Sequence, residues 1–206
     1  STHAVEAKWA TYSRALDAIA FSYRDHGHDF WQITFPAGDA TWVYDLTTGL
    51  WHERAWRDPA TGQLHRHRAL YHGYVFDKHI VGDWQTGALY QMATSAYTDV
   101  GNPIERIRTA PHLGDEQLNM FYHRFQIDLE TGEIANPEFS LETSNDAGHT
   151  WNAARTITAG AITNYRARAI WRRCGAARDR VFRVRSTAPM RHAWIDADLR
   201  VSRGIS

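Results

Sequence analysis

Hydrophobic and polar residues alternate along most of the chain with a period of two, which is the pattern of half-buried β-strands. β-Branched and aromatic residues are concentrated in short runs that end at Gly, Pro, Asp or Asn. The clearest runs are residues 30–35, 41–44, 73–76, 120–127 and 181–184. A helical period occurs near the start, where it predicts a short helix at residues 3–10. The sequence therefore predicts an all-β protein.

A repeated turn motif, D-x-x-T-G, separates several of these runs. It occurs at residues 45–49, 58–62, 83–87 and 128–132. The Asp carboxylate can accept backbone N–H groups of the turn, and the Gly supplies the positive φ of a type I turn with a bulge. We therefore predict that each copy is the tip of a β-hairpin. Three copies start 38 and 45 residues apart, close to the ~40–50 residues of a four-stranded propeller blade.

A second turn motif is more specific. Residues 144–151 read SNDAGHTW and match the Asp-box pattern S-x-D-x-G-x-T-W at Ser144, Asp146, Gly148, Thr150 and Trp151. In such a hairpin the Asp caps backbone N–H groups, the Gly is left-handed and the Trp packs beneath the turn. The box resembles those of propeller blades in sialidase-like and many unrelated proteins, where it is structural. Together the two motifs predict one propeller-type domain over residues 1–206, with about four blade-like units of four-stranded antiparallel sheet.

Composition excludes several classes of protein. The 206 residues carry 23 basic and 23 acidic side chains, which excludes a generally cationic nucleic-acid binder. With 43% hydrophobic and 22% charged residues the chain is not of the disordered type. The single cysteine, Cys174, excludes an internal disulfide framework and fits a reducing cytoplasm. No run approaches ~18 apolar residues, so we expect no membrane-spanning helix.

The zero net charge conceals an asymmetry. Residues 1–150 carry 11 basic and 20 acidic side chains, whereas residues 151–206 carry 12 basic ones, all Arg, and 3 acidic ones. Two explanations stay open: the basic strands pair with acidic neighbours or face water, or they form a basic face for an acidic partner or for DNA phosphates. Arg in place of Lys favours bidentate pairing in fixed interfaces. We expect carboxylates, either from the acidic first 150 residues or from a neighbouring subunit, to hold the candidate interface residues, which are Arg166, Arg168, Arg172, Arg173 and Arg178.

The sequence indicates neither a catalytic nor a metal site. The histidine pairs at residues 26–28 and 65–67 each offer two ligands, but no further ligands follow at a recognisable spacing. Carboxylates for glycoside hydrolysis are available, although most of them lie in turn motifs: Glu53, Asp77, Asp83, Asp99 and Glu105. No G-x-S-x-G elbow or phosphate-binding glycine loop is present. We therefore expect no enzyme, cofactor or metal; the alternative is a sialidase-like propeller that binds or hydrolyses carbohydrate.

An ordered set of short motifs resembles one known family. The motifs are GHDF at residues 27–30, TWVYD at 41–45, WHER at 51–54, I-x-R-x-R at 104–108, the Asp box, YRAR at 165–168 and R-x-G-x-A-R at 173–178. In this order they resemble the C-terminal half of the packaged-DNA stabilisation protein of short-tailed bacteriophages, the hub of the tail. The resemblance extends from about Asp17 to Arg185. The chain departs from the family at Cys174, where an apolar residue is expected.

The resemblance implies a structural protein of the virion tail, assembled in the host cytoplasm. Such a hub closes the portal channel after packaging and stabilises the packaged DNA. The resemblance further implies a homo-oligomeric, hexameric ring whose partners are the portal adaptor and the tail needle or tailspike proteins. Direct DNA contact stays open, and no membrane is involved. Because the family protein is longer, the resemblance also implies that this chain is a C-terminal fragment.

Overall fold

The computed structural model describes residues 2–114 and 118–204. They form two compact units, a first unit up to residue 102 and a second unit from residue 103. The described part of the chain is almost entirely β-strand, which confirms the all-β prediction. Its one helix, α1 (Thr2–Trp9), lies close to the predicted position. None of the described helical segments is long or apolar enough to cross a membrane.

The first unit consists of consecutive antiparallel strands. Its strands are β1 (Ile19–Asp25), β2 (His28–Phe35), β3 (Ala40–Asp45), β4 (Leu50–Arg57), β5 (Leu64–Arg66), β6 (Ala69–Val75), β7 (Lys78–Asp83), β8 (Leu89–Met92) and β9 (Thr98–Asp99). Strands β1 to β5 form one sheet in sequential order, and β6 to β8 form a second. Strand β9 pairs with β10 (Asn102–Pro103). The turns between consecutive strands are short, so each strand lies beside the one before it and pairs with it in antiparallel orientation.

Three of the four D-x-x-T-G motifs form the predicted turn. In each, the Asp carboxylate accepts a hydrogen bond from the backbone N–H two residues later and from the hydroxyl of the Thr. The backbone N–H of the Gly then donates to the carbonyl of the Asp, at 2.8, 2.8 and 3.0 Å. The glycines at positions 49, 62 and 87 have φ of 70°, 73° and 72°. These turns connect β3 to β4, β4 to β5 and β7 to β8.

The fourth copy is not a hairpin tip. Asp128 lies inside strand β13 (Met120–Glu130). It pairs with Arg168 of the neighbouring strand on one side and with Asp196 of the neighbouring strand on the other. Its carboxylate accepts from Gln126 Nε2 at 2.7 Å. Thr131 donates instead to the carbonyl of Asn164, at 2.8 Å. The prediction for this copy is wrong because ladder pairing on both sides holds Asp128 in extended conformation.

The second unit contains two sheets. One comprises β11 (Arg106–Thr109), β12 (Leu113–Gly114), β14 (Glu138–Ser144), β15 (Arg155–Thr158) and β18 (Asp179–Ser186), in the order β11-β18-β14-β15 with β12 also on β18. The other comprises β13, β16 (Ala167–Arg172), β17 (Ala176–Ala177) and β19 (Ala193–Arg203). Strand β13 lies between β16 and β17 on one side and β19 on the other.

Apolar side chains from both sheets of the second unit fill a shared core. The rings of Phe125 on β13 and Phe182 on β18 stack with centroids 5.0 Å apart and planes 3° from parallel. Trp171 on β16 and Phe139 on β14 are fully buried in the same cluster. The two sheets therefore pack face to face as a sandwich.

The predicted set of about four blades is not found in the described residues. Only the first sheet contains four or more consecutive strands in sequential order. In the second unit, non-sequential strands pair to form a sandwich, and this arrangement replaces the predicted blades. The period-two pattern and the turn motifs specify hairpins, but neither specifies which distant strand completes a sheet.

Candidate functional site

The Asp box forms the hairpin tip between β14 and β15. The hydroxyl of Ser144 donates to Asp146 Oδ1 at 2.6 Å, and it accepts the backbone N–H of Gly148 at 2.8 Å. Asp146 also accepts the backbone N–H of Thr150 at 2.8 Å and the Thr150 hydroxyl. Gly148 has a φ of 89°, the left-handed conformation that favours glycine. These contacts are those that the motif predicts.

The box is attached to the sandwich by two arginines of β18. The guanidinium of Arg183 lies 3.7 Å from the centroid of the Trp151 ring, a cation–π contact. Arg180 Nε donates to the side-chain oxygen of Asn145, inside the box, at 2.8 Å. Hydrogen bonds from Ser144 and Thr150 hold the pKa of Asp146 well below its usual range. The contacts of this carboxylate lie within the turn, as the predicted structural role of the box requires.

Replacement of Asp146 by Ala is expected to lower the melting temperature of the chain by about 5 °C, because the turn loses the acceptor for Thr150 and Ser144. Circular dichroism during heating measures the change. Asp196→Ala is the matched control, since the contact of its carboxylate within the described residues is with the adjoining backbone N–H of Ala197. Equal effects of the two substitutions would contradict a specific capping role for Asp146.

The arginine-rich segment forms strand β16, with the alternation that the sequence predicts. Ala167, Ala169 and Trp171 are buried, and Trp171 Nε1 donates to the carbonyl of Arg155 at 2.7 Å. Tyr165, which the pattern placed on the same face, precedes the strand and is exposed. The five candidate interface residues are all exposed: Arg166, Arg168, Arg172, Arg173 and Arg178. All five therefore lie on the surface, and their role in an interface stays a prediction.

These five arginines differ in their contacts with carboxylates. Arg168 lies 3.9 Å from Asp128 across the β13–β16 pair. Within residues 2–114 and 118–204, no carboxylate contact is found for the other four. Among the described residues only Arg168 of these five is thus near a carboxylate, and the expectation that carboxylates of the chain or of a neighbouring subunit hold the other four stays a prediction.

Other arginines of the basic segment account for part of the charge asymmetry. Arg183 and Arg185 both donate to Glu142 Oε2, at 2.6 and 2.8 Å, and Arg185 also donates to Glu105 at 2.7 Å. Glu142 is opposite Arg183 on the neighbouring strand. The sequence pattern did not identify this cluster, because residues 105, 142 and 185 are brought together only by the pairing of β11, β14 and β18.

An open depression of about 610 Å³ adjoins the exposed side of β16. Its polar lining includes Arg166, Arg168, Asn164 and Asp128, with the exposed side chain of Ile195 at its edge. Two cations and one carboxylate therefore converge here. The remaining lining residues are Leu129, Gly160 and Ala167.

The histidines considered as metal ligands have protein partners. Nδ1 of His28 is 2.8 Å from Asp45, and Nδ1 of His65 is 2.7 Å from Asp39. Burial of the His67 imidazole, together with the positive charge of Arg54, lowers its pKa to about 3. In the part of the chain that the structure describes, no group of three or more His, Cys, Asp or Glu side chains is placed to hold a metal ion.

A buried ion pair in the first unit was not expected from the sequence. Arg68 Nη2 donates to Asp83 Oδ2, and the Asp83 side chain is completely enclosed. Burial alone would raise the pKa of Asp83, but hydrogen bonds from Arg68, Thr86 and the backbone of Gln85 outweigh it and lower the pKa to about 2. The D-x-x-T-G motif had marked Asp83 as a turn residue, and it is also the counter-ion of Arg68.

Comparison with known families adds evidence for the second unit. Residues 105–202 match the family described as bacteriophage P22 Gp10, beta-sandwich. The matched segment coincides with the unit at residues 103–206, whose two sheets form a sandwich. A search of curated proteins found no match. The family similarity supports a structural protein of a bacteriophage virion.

Proposed function

We propose that the chain is a non-enzymatic structural component of a bacteriophage tail hub, which closes the portal channel and stabilises the packaged DNA. The observation that carries the proposal is the similarity of residues 105–202 to the bacteriophage P22 Gp10 beta-sandwich. The ordered motifs of the sequence, which resemble the packaged-DNA stabilisation protein, favour the same class and extend into the first unit. The proposed location is the virion tail, with assembly in the host cytoplasm.

Assembly requires surfaces that recognise neighbouring proteins. In the proposal these neighbours are further copies of the chain in a hexameric ring, the portal adaptor, and the needle or tailspike proteins. The exposed arginines of the second unit support such contacts, because an interface can pair charges that the chain itself leaves in water. Arg166 and Arg168 are the strongest candidates, since both line the depression beside β16.

Reversal of these two charges, by Arg166→Glu with Arg168→Glu, is expected to weaken binding to a portal–adaptor assembly by about tenfold or more. The wild-type chain should co-sediment with that assembly, and added salt should reduce its binding. Both side chains are exposed, so circular dichroism should show that the variant stays folded.

The matched control is Arg14→Glu with Lys78→Glu, which changes the net charge equally at exposed positions of the first unit. This control should co-sediment like the wild type. Failure of the wild-type chain to co-sediment would contradict the hub function. If the two variants bound equally well, this would contradict the role of Arg166 and Arg168 but not the hub function.

One observation favours the alternative function, a carbohydrate-binding or carbohydrate-hydrolysing protein. The depression beside β16 brings two arginines and the carboxylate of Asp128 together, as recognition of an acidic sugar would require. Titration with sialyllactose, followed by calorimetry and by assay of released sialic acid, tests this function. Binding that Arg166→Glu abolishes would favour the alternative over the hub.

A further inference from the structure

The exposed face of the sheet formed by β16, β13 and β19 carries three arginines in one row. Arg124 on β13 lies directly opposite Arg172 on β16 and directly opposite Arg200 on β19. Paired residues of neighbouring strands point to the same face of a sheet. With strands ~4.8 Å apart, the three side chains start within about 10 Å of each other.

The register places this row on the outer side of the sandwich. Phe125, the residue after Arg124, is buried in the shared core, and so is Trp171, which precedes Arg172. Because successive side chains alternate between faces, Arg124 and Arg172 point away from the core. A break in the β13–β19 register between Tyr122 and Arg124 lies at this point. Such bulges reorient the adjoining side chain.

The row of three arginines does not stabilise the fold of the chain. Like charges directly opposite each other on a sheet are destabilising. Arg124 donates to Asp198 at 2.8 Å, but its buried Nε–H has no acceptor. Within the described ranges, no carboxylate contact is found for Arg172 or Arg200, and both are exposed. Of the three cations, only Arg124 therefore contacts a carboxylate among the described residues.

The surrounding charges restrict the kind of ligand. Further along the same face, Arg168, Asp128 and Asp196 form another row across the same strands. Four residues along a strand separate the rows, about 13 Å. The two carboxylates of this second row, together with Asp198 between the rows, would repel a continuous phosphate backbone. A protein segment can instead place carboxylates at the arginine row alone.

We propose that the row Arg172, Arg124 and Arg200 is the docking site of an acidic segment of another protein. Planar guanidinium groups bind carboxylates in a bidentate geometry, and three of them in line match carboxylates that repeat along an extended peptide. The proposal goes beyond the hub function and does not depend on it, because it concerns charge complementarity on a sheet face of this chain.

Titration of the full chain with a peptide of alternating Glu and Thr residues tests the proposal. Side-chain Nε–H signals of arginine, observed by NMR, report binding at each guanidinium. We expect the signals of Arg172, Arg124 and Arg200 to shift together, and to return when sodium chloride reaches about 0.5 M. Arg172→Gln with Arg200→Gln should weaken binding by about tenfold or more.

The matched control is Arg108→Gln with Arg191→Gln, which removes two exposed arginines elsewhere in the second unit. The control should bind the peptide like the wild type. Equal loss of peptide binding in the control would overturn the proposal. So would a DNA duplex or inorganic phosphate that binds more tightly than the peptide and shifts the same three signals. Self-association of the chain in sedimentation, if Arg172→Gln with Arg200→Gln abolishes it, would also overturn the proposal. No shift of the three signals at any peptide concentration would overturn it as well.

Discussion

Replacement of Arg68 by Met is expected to decrease the free energy of unfolding by about 3–5 kcal/mol, because it leaves the enclosed carboxylate of Asp83 without its counter-ion. The guanidinium of Arg68 also lies 5.2 Å from the ring centroid of Trp56 and 5.8 Å from that of Tyr90. Met retains most of the apolar contact with these rings and loses the charge. Urea denaturation followed by circular dichroism measures the change.

Arg66→Met is the matched control for this substitution. The guanidinium of Arg66 lies 4.0 Å from the centroid of the Trp84 ring, but Arg66 is only partly buried. Its loss should cost less than about 1 kcal/mol. Equal effects of Arg66→Met and Arg68→Met would contradict the importance of the buried pair.

The same ion pair predicts a dependence of stability on pH. The pKa of Asp83 is about 2 in the folded chain, below the ~3.9 of an unfolded Asp. Its contribution, about 2 kcal/mol, is therefore fully present above pH ~4 and is lost as the pH falls through about 2. Arg68→Met should lose less stability than the wild type between pH 5 and pH 2, since much of this contribution comes from Arg68. An unchanged pH profile in the variant would contradict this assignment.

Local features of the fold were predictable because they depend on neighbours in the sequence. Asp45, Asp58 and Asp83 form the predicted turns with residues no more than four positions away. The contacts of the Asp box likewise extend over only a few residues. Asp128 has the same motif, but its conformation is decided by Asp196, far along the chain. Strand pairing over such a separation leaves no signal in the motif itself.

The candidate sites were likewise predictable only where they depend on neighbouring residues in the sequence. Alternation in residues 165–171 correctly predicted that Arg166 and Arg168 are exposed, since it depends on the strand alone, but it wrongly placed the exposed Tyr165 on the inner face. It did not predict that Glu142 and Glu105 bind Arg185, because β14 and the residue before β11 supply these partners from distant parts of the chain. The arginine row depends on the registers of two strand pairs and on a bulge in one of them. None of these can be deduced from residue types.

Replacement of Phe182 by Ala is expected to decrease the free energy of unfolding by about 3–5 kcal/mol. Phe182 is 1% exposed. Its ring centroid lies 5.0 Å from that of Phe125, on which it stacks, and 5.5 Å from that of Tyr122, which it meets edge to face. The substitution therefore removes the ring that joins the two sheets of the second unit. Phe121→Ala is the matched control, because Phe121 is 44% exposed on the same sandwich. Its effect should stay within about 1 kcal/mol. Urea denaturation followed by circular dichroism measures both, and a small effect of Phe182→Ala would contradict a core formed by face-to-face packing of the two sheets.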